Sequence, residues 1–240
     1  MSKSPTAGAT LERRANSLAK MTNTPAGIMK RIKEVVNAVG AKEITAHPSF
    51  ANSFQLSTSE DHKFGTKSGL QGCTIVVSYN SDFIYLAHLW EAPGFTINGP
   101  HTVVEFDNQV LGFLAGTPGA DGQGPSLFDP TPGAVQPMAG ATTKFITVGA
   151  KVGNEEKWDS PAYNAEINQL RAIAEKLGGT VSPNSIYRRP DDEDDPVRVT
   201  LEFNAVSRQL RVLYSDDRTA DGTYTGIVAI DVTIPEAATS

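Results

Sequence analysis

The side chain with the greatest chemical reactivity in the sequence is that of Cys73, the only cysteine of the 240 residues, and His88 follows it fifteen positions later. An ordinary thiol has a pKa near ~8.5 and is mostly protonated at neutral pH. A neighbouring imidazole accepts that proton, and the resulting thiolate attacks acyl carbons such as those of amides and thioesters. Free cysteines and strand histidines are also common core residues. The strands that carry the two residues therefore decide between catalysis and packing.

Two apolar runs rich in β-branched and aromatic residues, "CTIVVSY" and "DFIYLAHL", predict a β-hairpin. A two-residue turn at Asn80-Ser81 makes Cys73 face His88, with the side chains on one face and about 4.5–5.5 Å between Cα atoms. A four-residue loop centred on the same point keeps this register, whereas a three-residue loop brings Ala87 or Leu89 opposite the cysteine. The hairpin thus predicts a Cys–His pair that depends on the turn.

A thiol nucleophile also needs donors for the oxyanion that forms when it attacks a carbonyl. The segment "SGLQGC" places a glycine, Gly72, directly before Cys73. Glycine permits close approach to the backbone because it has no Cβ. The main-chain N–H groups near Gly72 and Cys73 are the predicted donors.

The stretch "LQGCTIVVSYNSDFIYLAHLW", about twenty of the 240 residues, resembles the catalytic segment of the cytotoxic necrotizing factor deamidase domain. In that family a Gly-Cys-Thr opens an apolar strand and a His lies at the same distance on the next strand, as Gly72, Cys73, Thr74 and His88 do here. Burkholderia lethal factor 1 and the bacterial chemoreceptor glutamine deamidases share the broader fold with somewhat different spacing. The family's Leu-Ser-Gly-Cys is replaced here by Leu70-Gln71-Gly72-Cys73.

The resemblance implies an α/β-sandwich that hydrolyses the carboxamide of a protein glutamine to glutamate. Cys73 would attack the amide carbon, His88 would protonate the departing ammonia, and water would cleave the thioester. Several relatives have a threonine shortly before the cysteine that assists the site, and the nearby hydroxyl residues are Thr66 and Ser68. The resemblance further implies a toxin or effector, a virulence protein, with a host protein such as a Rho-family GTPase or a translation factor as its target.

Other functions are compatible with the same residues. Acyl transfer to an amine gives a transglutaminase, and water attack on other amides gives a peptidase or small-amide hydrolase. A papain-like peptidase is disfavoured because its histidine lies far downstream of the cysteine. If Cys73 and His88 only pack, the chain is a non-enzymatic protein-binding module on the same scaffold.

Charge and composition exclude several classes of protein. Residues 1–43 carry eight Lys/Arg and three Glu, and the remainder carries thirteen basic and twenty-four acidic residues, which argues against nucleic acid as a partner. No phosphate-binding loop, zinc-ligand spacing or Gly-x-Ser-x-Gly elbow occurs, so no cofactor or metal is predicted. Without an apolar secretory core in "MSKSPTAGATLERRANSLAK" or an apolar run long enough to cross a bilayer, we expect a cytoplasmic protein or one delivered into a host cytosol by a non-classical route.

The remaining patterns predict an α+β fold of mostly antiparallel sheets or a sandwich with two main flanking helices. Thr24 and Pro25 begin the first helix and Ser160-Pro161 the second. Further strands are predicted at "HTVVEF", "TTKFITVG", "VRVTLEFN", "SRQLRVLYS" and "TYTGIVAIDVTI".

The predicted domain organisation is a flexible basic tail over residues 1–22 and a single catalytic domain over 23–240. A Gly/Pro-rich loop at 116–140 is either a substrate-facing loop or a passive insert. The acidic run "PDDEDDP" lacks the spacing of a calcium loop and is interpreted as a solvated turn.

Overall fold

A computed structural model describes residues 17–38, 42–43, 49–56, 60–66, 70–91, 94–95, 103–128, 138–150, 160–189, 197–218 and 224–237. Two β-sheets pack face to face, which confirms the predicted α+β sandwich. Within the described residues the strands are β1 Lys42–Glu43, β2 Phe50–Gln55, β3 His62–Gly65, β4 Thr74–Tyr79, β5 Phe83–Leu89, β6 Thr142–Val148, β7 Thr180–Val181, β8 Ser185–Tyr187, β9 Val199–Asn204, β10 Gln209–Arg218 and β11 Tyr224–Thr233. The helices are α1 Pro25–Val36, α2 Val103–Phe106, α3 Gly112–Ala115 and α4 Asn164–Glu175, and a π-helical turn, Asp107–Leu111, joins α2 to α3.

One sheet, called sheet A, has the order β1-β3-β9-β10-β11. Its strands pair antiparallel except for β1 and β3, which are parallel. The other sheet, sheet B, has the order β2-β5-β4-β6-β7, and β8 pairs in parallel with β6. The neighbours of β4 in sheet B are therefore β5 and β6, both antiparallel to it.

Aromatic rings join the two sheets. The Phe54 ring on sheet B stacks on the Phe64 ring on sheet A with 5.4 Å between centroids. His62 on sheet A lies 4.3 Å from the Phe54 centroid and 6.3 Å from the Phe203 centroid. Because side chains alternate along a strand, these contacts identify which face of each strand points into the sandwich.

Helix α1 covers the other face of sheet A. Its start matches the prediction: the Thr24 side chain accepts a hydrogen bond from the Gly27 N–H at 3.2 Å, and Pro25 is the first helical residue. The apolar stripe of Ile28, Ile32 and Val36 packs with Leu213 of β10.

The prediction of a strand at "HTVVEF" is wrong, because the described part of that segment, Val103–Phe106, is helical. The reason lies further along the chain. The buried residues Phe106, Val110, Phe113 and Leu114 follow helical spacing and direct one apolar side inward. The β-branched residues alone favoured a strand, and the longer period overrides them.

The remaining predicted strands are confirmed as β6, β9, β10 and β11. Helix α4 begins at Asn164, three residues after the predicted Ser160-Pro161 start, and buries Ile167, Leu170 and Ile173. The acidic run "PDDEDDP" lies outside the described residues, so its interpretation as a solvated turn stays a prediction.

The described part of the Gly/Pro-rich loop packs on the edge of sheet B. The Gln123 carbonyl accepts from the Ala51 N–H, and the Gln123 N–H donates to the Ser49 carbonyl, both at 2.8 Å. Gly124 has φ 104°, and a Cβ there would overlap the Ala51 carbonyl. This part of the loop therefore satisfies the exposed edge of β2. Its role towards a substrate stays a prediction.

The described end of the predicted N-terminal tail contacts the body of the protein. Leu18 is buried, and the Ala19 carbonyl accepts a hydrogen bond from Arg211 at 3.2 Å. The boundary at residue 22 and the extent of a single catalytic domain stay predictions. Among the described residues no helix combines the length and apolar character that a membrane span requires.

Candidate active site

The register of the β4–β5 hairpin differs from the predicted one. His88 pairs with Ile75 and Leu89 pairs with Thr74, so the continuation of the ladder places Trp90 opposite Cys73. The direct opposition of Cys73 and His88 is therefore wrong by two positions. The shift is even, and it leaves every side chain on the face that was predicted.

The turn explains the shift. Asn80 and Phe83 are the last paired residues, with the Asn80 N–H donating to the Phe83 carbonyl at 3.0 Å. The Asn80 side-chain oxygen accepts from the N–H groups of Asp82 and Phe83, each at 2.9 Å. This side-chain bridge is an Asx turn, which fixes Ser81-Asp82 as the two central residues instead of Asn80-Ser81.

Cys73 and His88 are consequently diagonal neighbours. His88 alternates with Leu86 and Ile84 along β5, and Ile84 pairs with Phe54, whose ring contacts sheet A. These side chains point into the sandwich, and Cys73 shares that face by alternation with Ile75. Diagonal pairs lie about 7–8 Å apart at Cα, within reach of long and aromatic side chains. His88 is buried at this end of the sandwich.

The Cys73 thiol is almost completely buried, with 8% of the residue exposed. Burial raises its pKa to about 12. The main-chain N–H groups of Glu91 and Gly72 donate towards the sulfur and oppose that rise, as does the positive charge of Arg189, whereas the Glu91 carboxylate adds to it. At neutral pH the resting thiol is therefore protonated, and two main-chain donors already point at it.

An ion pair lies beside the thiol. Arg189 Nη1 donates to Glu91 Oε2 at 2.9 Å, and Arg189 Nη2 donates to Glu91 Oε1. Tyr163, which precedes α4, donates its hydroxyl to Glu91 Oε1. Burial acts to lower the pKa of the Arg189 guanidinium, but the hydrogen bond and charge of Glu91 outweigh it and raise that pKa. We call Glu91, Arg189 and Tyr163 the carboxylate cluster.

Tyr187 fixes the backbone of the cysteine. Its hydroxyl donates to the Cys73 carbonyl at 2.6 Å. Burial raises the pKa of this fully buried tyrosine well above its usual value, so the hydroxyl keeps its proton. Strand β8, which ends at Tyr187, thereby connects the cysteine to the Arg189 that follows two residues later.

The accessory residues from the sequence have different surroundings. A Cβ built on Gly72 would overlap the Glu91 carboxylate. The glycine therefore allows the side chain of Glu91 to lie close to the backbone at residue 72. The buried Thr66 hydroxyl accepts from the Val199 N–H at 2.9 Å in sheet A. Ser68 lies outside the described residues. The catalytic or oxyanion roles of Cys73, His88, Gly72, Thr66 and Ser68 stay predictions.

Sequence reasoning missed the carboxylate cluster and Tyr187. Glu91 and Arg189 are 98 positions apart, and no spacing rule connects them. A signal was available only for Glu91, a charged residue directly after the apolar strand that carries His88. Among the described residues, no three His, Cys, Asp or Glu side chains come together as a metal-binding group.

Comparisons with known proteins identify no family. No family model and no curated protein matches the chain. Among solved structures, the chain is similar to the C-terminal domain of CNFy from Yersinia pseudotuberculosis, with a TM-score of 0.34 and 14% sequence identity. The similarity covers 79% of this chain and 61% of that chain, so this chain spans less than two thirds of it.

Proposed function

We propose that this protein is a cysteine-dependent protein glutamine deamidase. The proposal is supported by the inward face of β5 that carries His88, a face that Cys73, the residue directly before β4, shares by alternation with Ile75, and by the main-chain N–H groups of Glu91 and Gly72, which act on the thiol. A nucleophile, a base and oxyanion donors are the three requirements of acyl transfer. The resemblance of residues 70–90 to cytotoxic necrotizing factor deamidases supports glutamine as the acyl group.

The reaction begins with the resting, protonated thiol. His88 takes the thiol proton as the sulfur attacks the carboxamide carbon, and the main-chain N–H groups of Gly72 and Glu91 donate to the oxyanion. The C–N bond then breaks, His88 returns the proton to the departing ammonia, and a thioester remains on Cys73. Water attacks the thioester, so that the C–S bond breaks and glutamate and the thiol form. Because burial disfavours a free thiolate, ionisation is coupled to the attack.

We propose a host protein as the substrate, with a toxin or effector role in a host cytosol. A Rho-family GTPase or a translation factor fits the targets that the resemblance implies. Mass spectrometry of candidate GTPases incubated with the protein tests the proposal. One glutamine should gain the mass of an amide-to-acid conversion, and Cys73→Ser should abolish the gain. Transfer of an added primary amine to that glutamine would identify a transglutaminase, and a cleaved backbone a peptidase.

A non-enzymatic binding module is the second candidate, and the burial of Cys73 favours it. A structural cysteine has a raised pKa and reacts only when the protein unfolds. Under the deamidase proposal, iodoacetamide modifies Cys73 in the folded protein, and His88→Ala slows the reaction by at least about tenfold at neutral pH. Labelling that begins only at the denaturant concentration of unfolding would instead establish the binding module.

A further inference from the structure

The side chains of the carboxylate cluster border the thiol, and the attack of Cys73 on an acyl carbon as proposed above uses none of them, only the main-chain N–H of Glu91. Glu91 is the centre of the cluster, because both of its oxygens accept from Arg189 and one also accepts from Tyr163. A two-point contact with a guanidinium fixes both the position and the plane of a carboxylate. The centroid of the Phe95 ring lies 5.2 Å from that of the Tyr163 ring, so the phenylalanine packs against the tyrosine.

This fixed carboxylate lies at the nucleophile. It occupies the space that a side chain on Gly72, the residue before Cys73, would need. The N–H of the same Glu91 donates towards the sulfur, and the charges of both Glu91 and Arg189 act on the thiol. The side chain of Glu91 is 13% exposed and that of Arg189 33%, so the pair is partly open to solvent. The carboxylate is therefore a partly exposed charged group beside the nucleophile.

We propose that Glu91 selects a neutral primary carboxamide for reaction with Cys73 by accepting a hydrogen bond from its NH₂ group, while Arg189 and Tyr163 hold the carboxylate in place. This inference rests on the proposed function and names the group that the site recognises. A carboxamide has two N–H donors for the carboxylate, whereas an ionised acid has none.

The same contact gives the reaction a direction. The substrate amide is attracted to Glu91, but the product of hydrolysis is a second carboxylate beside it. Like charges at close range in a partly buried site repel, which favours release of the acid. Glu91 is thus a specificity residue that touches the substrate, and Arg189 and Tyr163 are positioning residues that act through it. No proton or electron passes through the cluster.

Two small reagents test the charge selection without a known substrate. Iodoacetamide has a primary carboxamide and iodoacetate has a carboxylate, and both alkylate thiolates. Because Cys73 is the only cysteine, the modification of the whole chain reports on this thiol alone. The measured quantity is the ratio of the iodoacetamide rate to the iodoacetate rate at one pH, divided by the same ratio for glutathione. A ratio removes the effect of thiol pKa, since both reagents share the nucleophile.

We expect the normalised ratio of the wild-type protein to be roughly ten or more, compared with one for glutathione. Glu91→Gln leaves the Arg189 cation without its counter-charge, so iodoacetate should gain and the ratio should fall to one or below. Arg189→Gln leaves the carboxylate with its full charge and should raise the ratio above that of the wild type. Tyr163→Phe keeps the ring against Phe95 but loses the hydroxyl that donates to Glu91, so it should lower the ratio by a smaller factor than Glu91→Gln does. Arg189→Lys, which keeps the charge, should stay close to the wild type.

A structural role for the cluster predicts a different result. If Glu91 and Arg189 merely cover the thiol, every substitution should change both rates by the same factor and leave the ratio within about twofold of the wild type. That outcome overturns the inference, and so does a folded protein whose Cys73 reacts with neither reagent. The deamidation assay decides the proposed function separately. A Cys73-dependent mass gain with an unchanged Glu91→Gln rate would leave the function standing and refute the selection by Glu91.

Discussion

Among the described residues, two Glu–Arg pairs have the same two-point contact and different surroundings. In sheet A, Arg31 of α1 donates through Nε to Glu202 Oε2 at 3.0 Å and through Nη2 to Glu202 Oε1. In the carboxylate cluster, Arg189 makes the equivalent two contacts with Glu91. Hydrogen bonds to Glu202 raise the pKa of Arg31, and the hydrogen bond and charge of Glu91 do the same for Arg189 against the effect of burial. Chemistry alone does not distinguish the two pairs.

Their positions do distinguish them. The Glu202 side chain is only 1% exposed and lies under α1, so its pair joins a helix to the sheet that the helix covers. The pair of Glu91 and Arg189 joins the end of β5 to the segment after β8, is partly exposed, and borders a buried thiol. The first pair is explained completely by the packing of α1. The second pair connects two irregular segments. The packing of these segments does not explain why the pair lies beside Cys73.

The largest effect is expected from Glu202. Glu202→Ala removes both hydrogen bonds that the Arg31 guanidinium makes to a buried carboxylate and leaves it with the exposed Glu34 as its partner, which should lower the free energy of unfolding by about 3 kcal/mol in a denaturant titration. Glu91→Ala should cost roughly 1–2 kcal/mol, because water reaches its partner. The double variant Arg31→Met/Glu202→Leu is the control, since an apolar pair of similar volume should restore most of the loss. Equal losses at Glu202 and Glu91 would remove the distinction between the pairs.

Gly72→Ala tests the closeness of the second pair to the nucleophile. The added methyl group overlaps the Glu91 carboxylate, and Arg189 and Tyr163 restrain that carboxylate from moving. We expect a loss of about 1–3 kcal/mol in the free energy of unfolding, typical of overpacking, together with a lower ratio of the iodoacetamide rate to the iodoacetate rate.

The double variant Gly72→Ala/Glu91→Ala provides the matched control. Removing the carboxylate removes the overlap, so the double variant should be no less stable than Glu91→Ala alone. A strictly additive loss would show that the strain at Gly72 has another origin and that the carboxylate does not lie against it.

Thr66→Val asks to which of the two regions Thr66 belongs. Its hydroxyl accepts from the Val199 N–H in sheet A, and the isosteric valine leaves that buried donor unsatisfied. The expected loss is about 1–3 kcal/mol in the free energy of unfolding, with Thr66→Ser retaining most of the stability. If Thr66 serves only the sheet, the labelling rate of Cys73 in the folded protein stays unchanged. A large fall in that rate with normal stability would instead assign Thr66 to the site.

The sequence predicted what local patterns determine. The strands at Cys73 and His88, the cap at Thr24 and the face that each strand residue occupies all follow from periods of two or 3.6 residues. The predicted register is wrong because the side-chain amide of Asn80 accepts hydrogen bonds that fix Ser81-Asp82 as the central residues of the turn. The carboxylate cluster could not be predicted, because the contact of Glu91 with Arg189 depends on the placement of β8 beside β6 and has no local signal.

The smallest expected effect is a difference in pH dependence between the interior of the sandwich and the region around Cys73. His62 lies in the sandwich between the Phe54, Phe64 and Phe203 rings, and Lys42, Glu60 and Asp61 are the charged groups that act on it. Burial, with a contribution from Lys42, lowers its pKa, so the unfolded chain takes up the proton first as the pH falls below about 6.5. The stabilising contribution of neutral His62 is complete above that pH and is lost as the pH falls from there towards the lower, folded pKa.

His62→Phe should therefore flatten the loss of stability between pH 7 and pH 5, measured as the free energy of unfolding at each pH. The pH dependence of Cys73 labelling arises elsewhere, because burial raises that pKa to about 12 and the rate should climb throughout the range from pH 7 to pH 9. The His62 variant should leave this climb unaltered. If one substitution changed both profiles, the interior of the sandwich and the thiol end would titrate as one unit, and the division between a structural and a reactive region would fail.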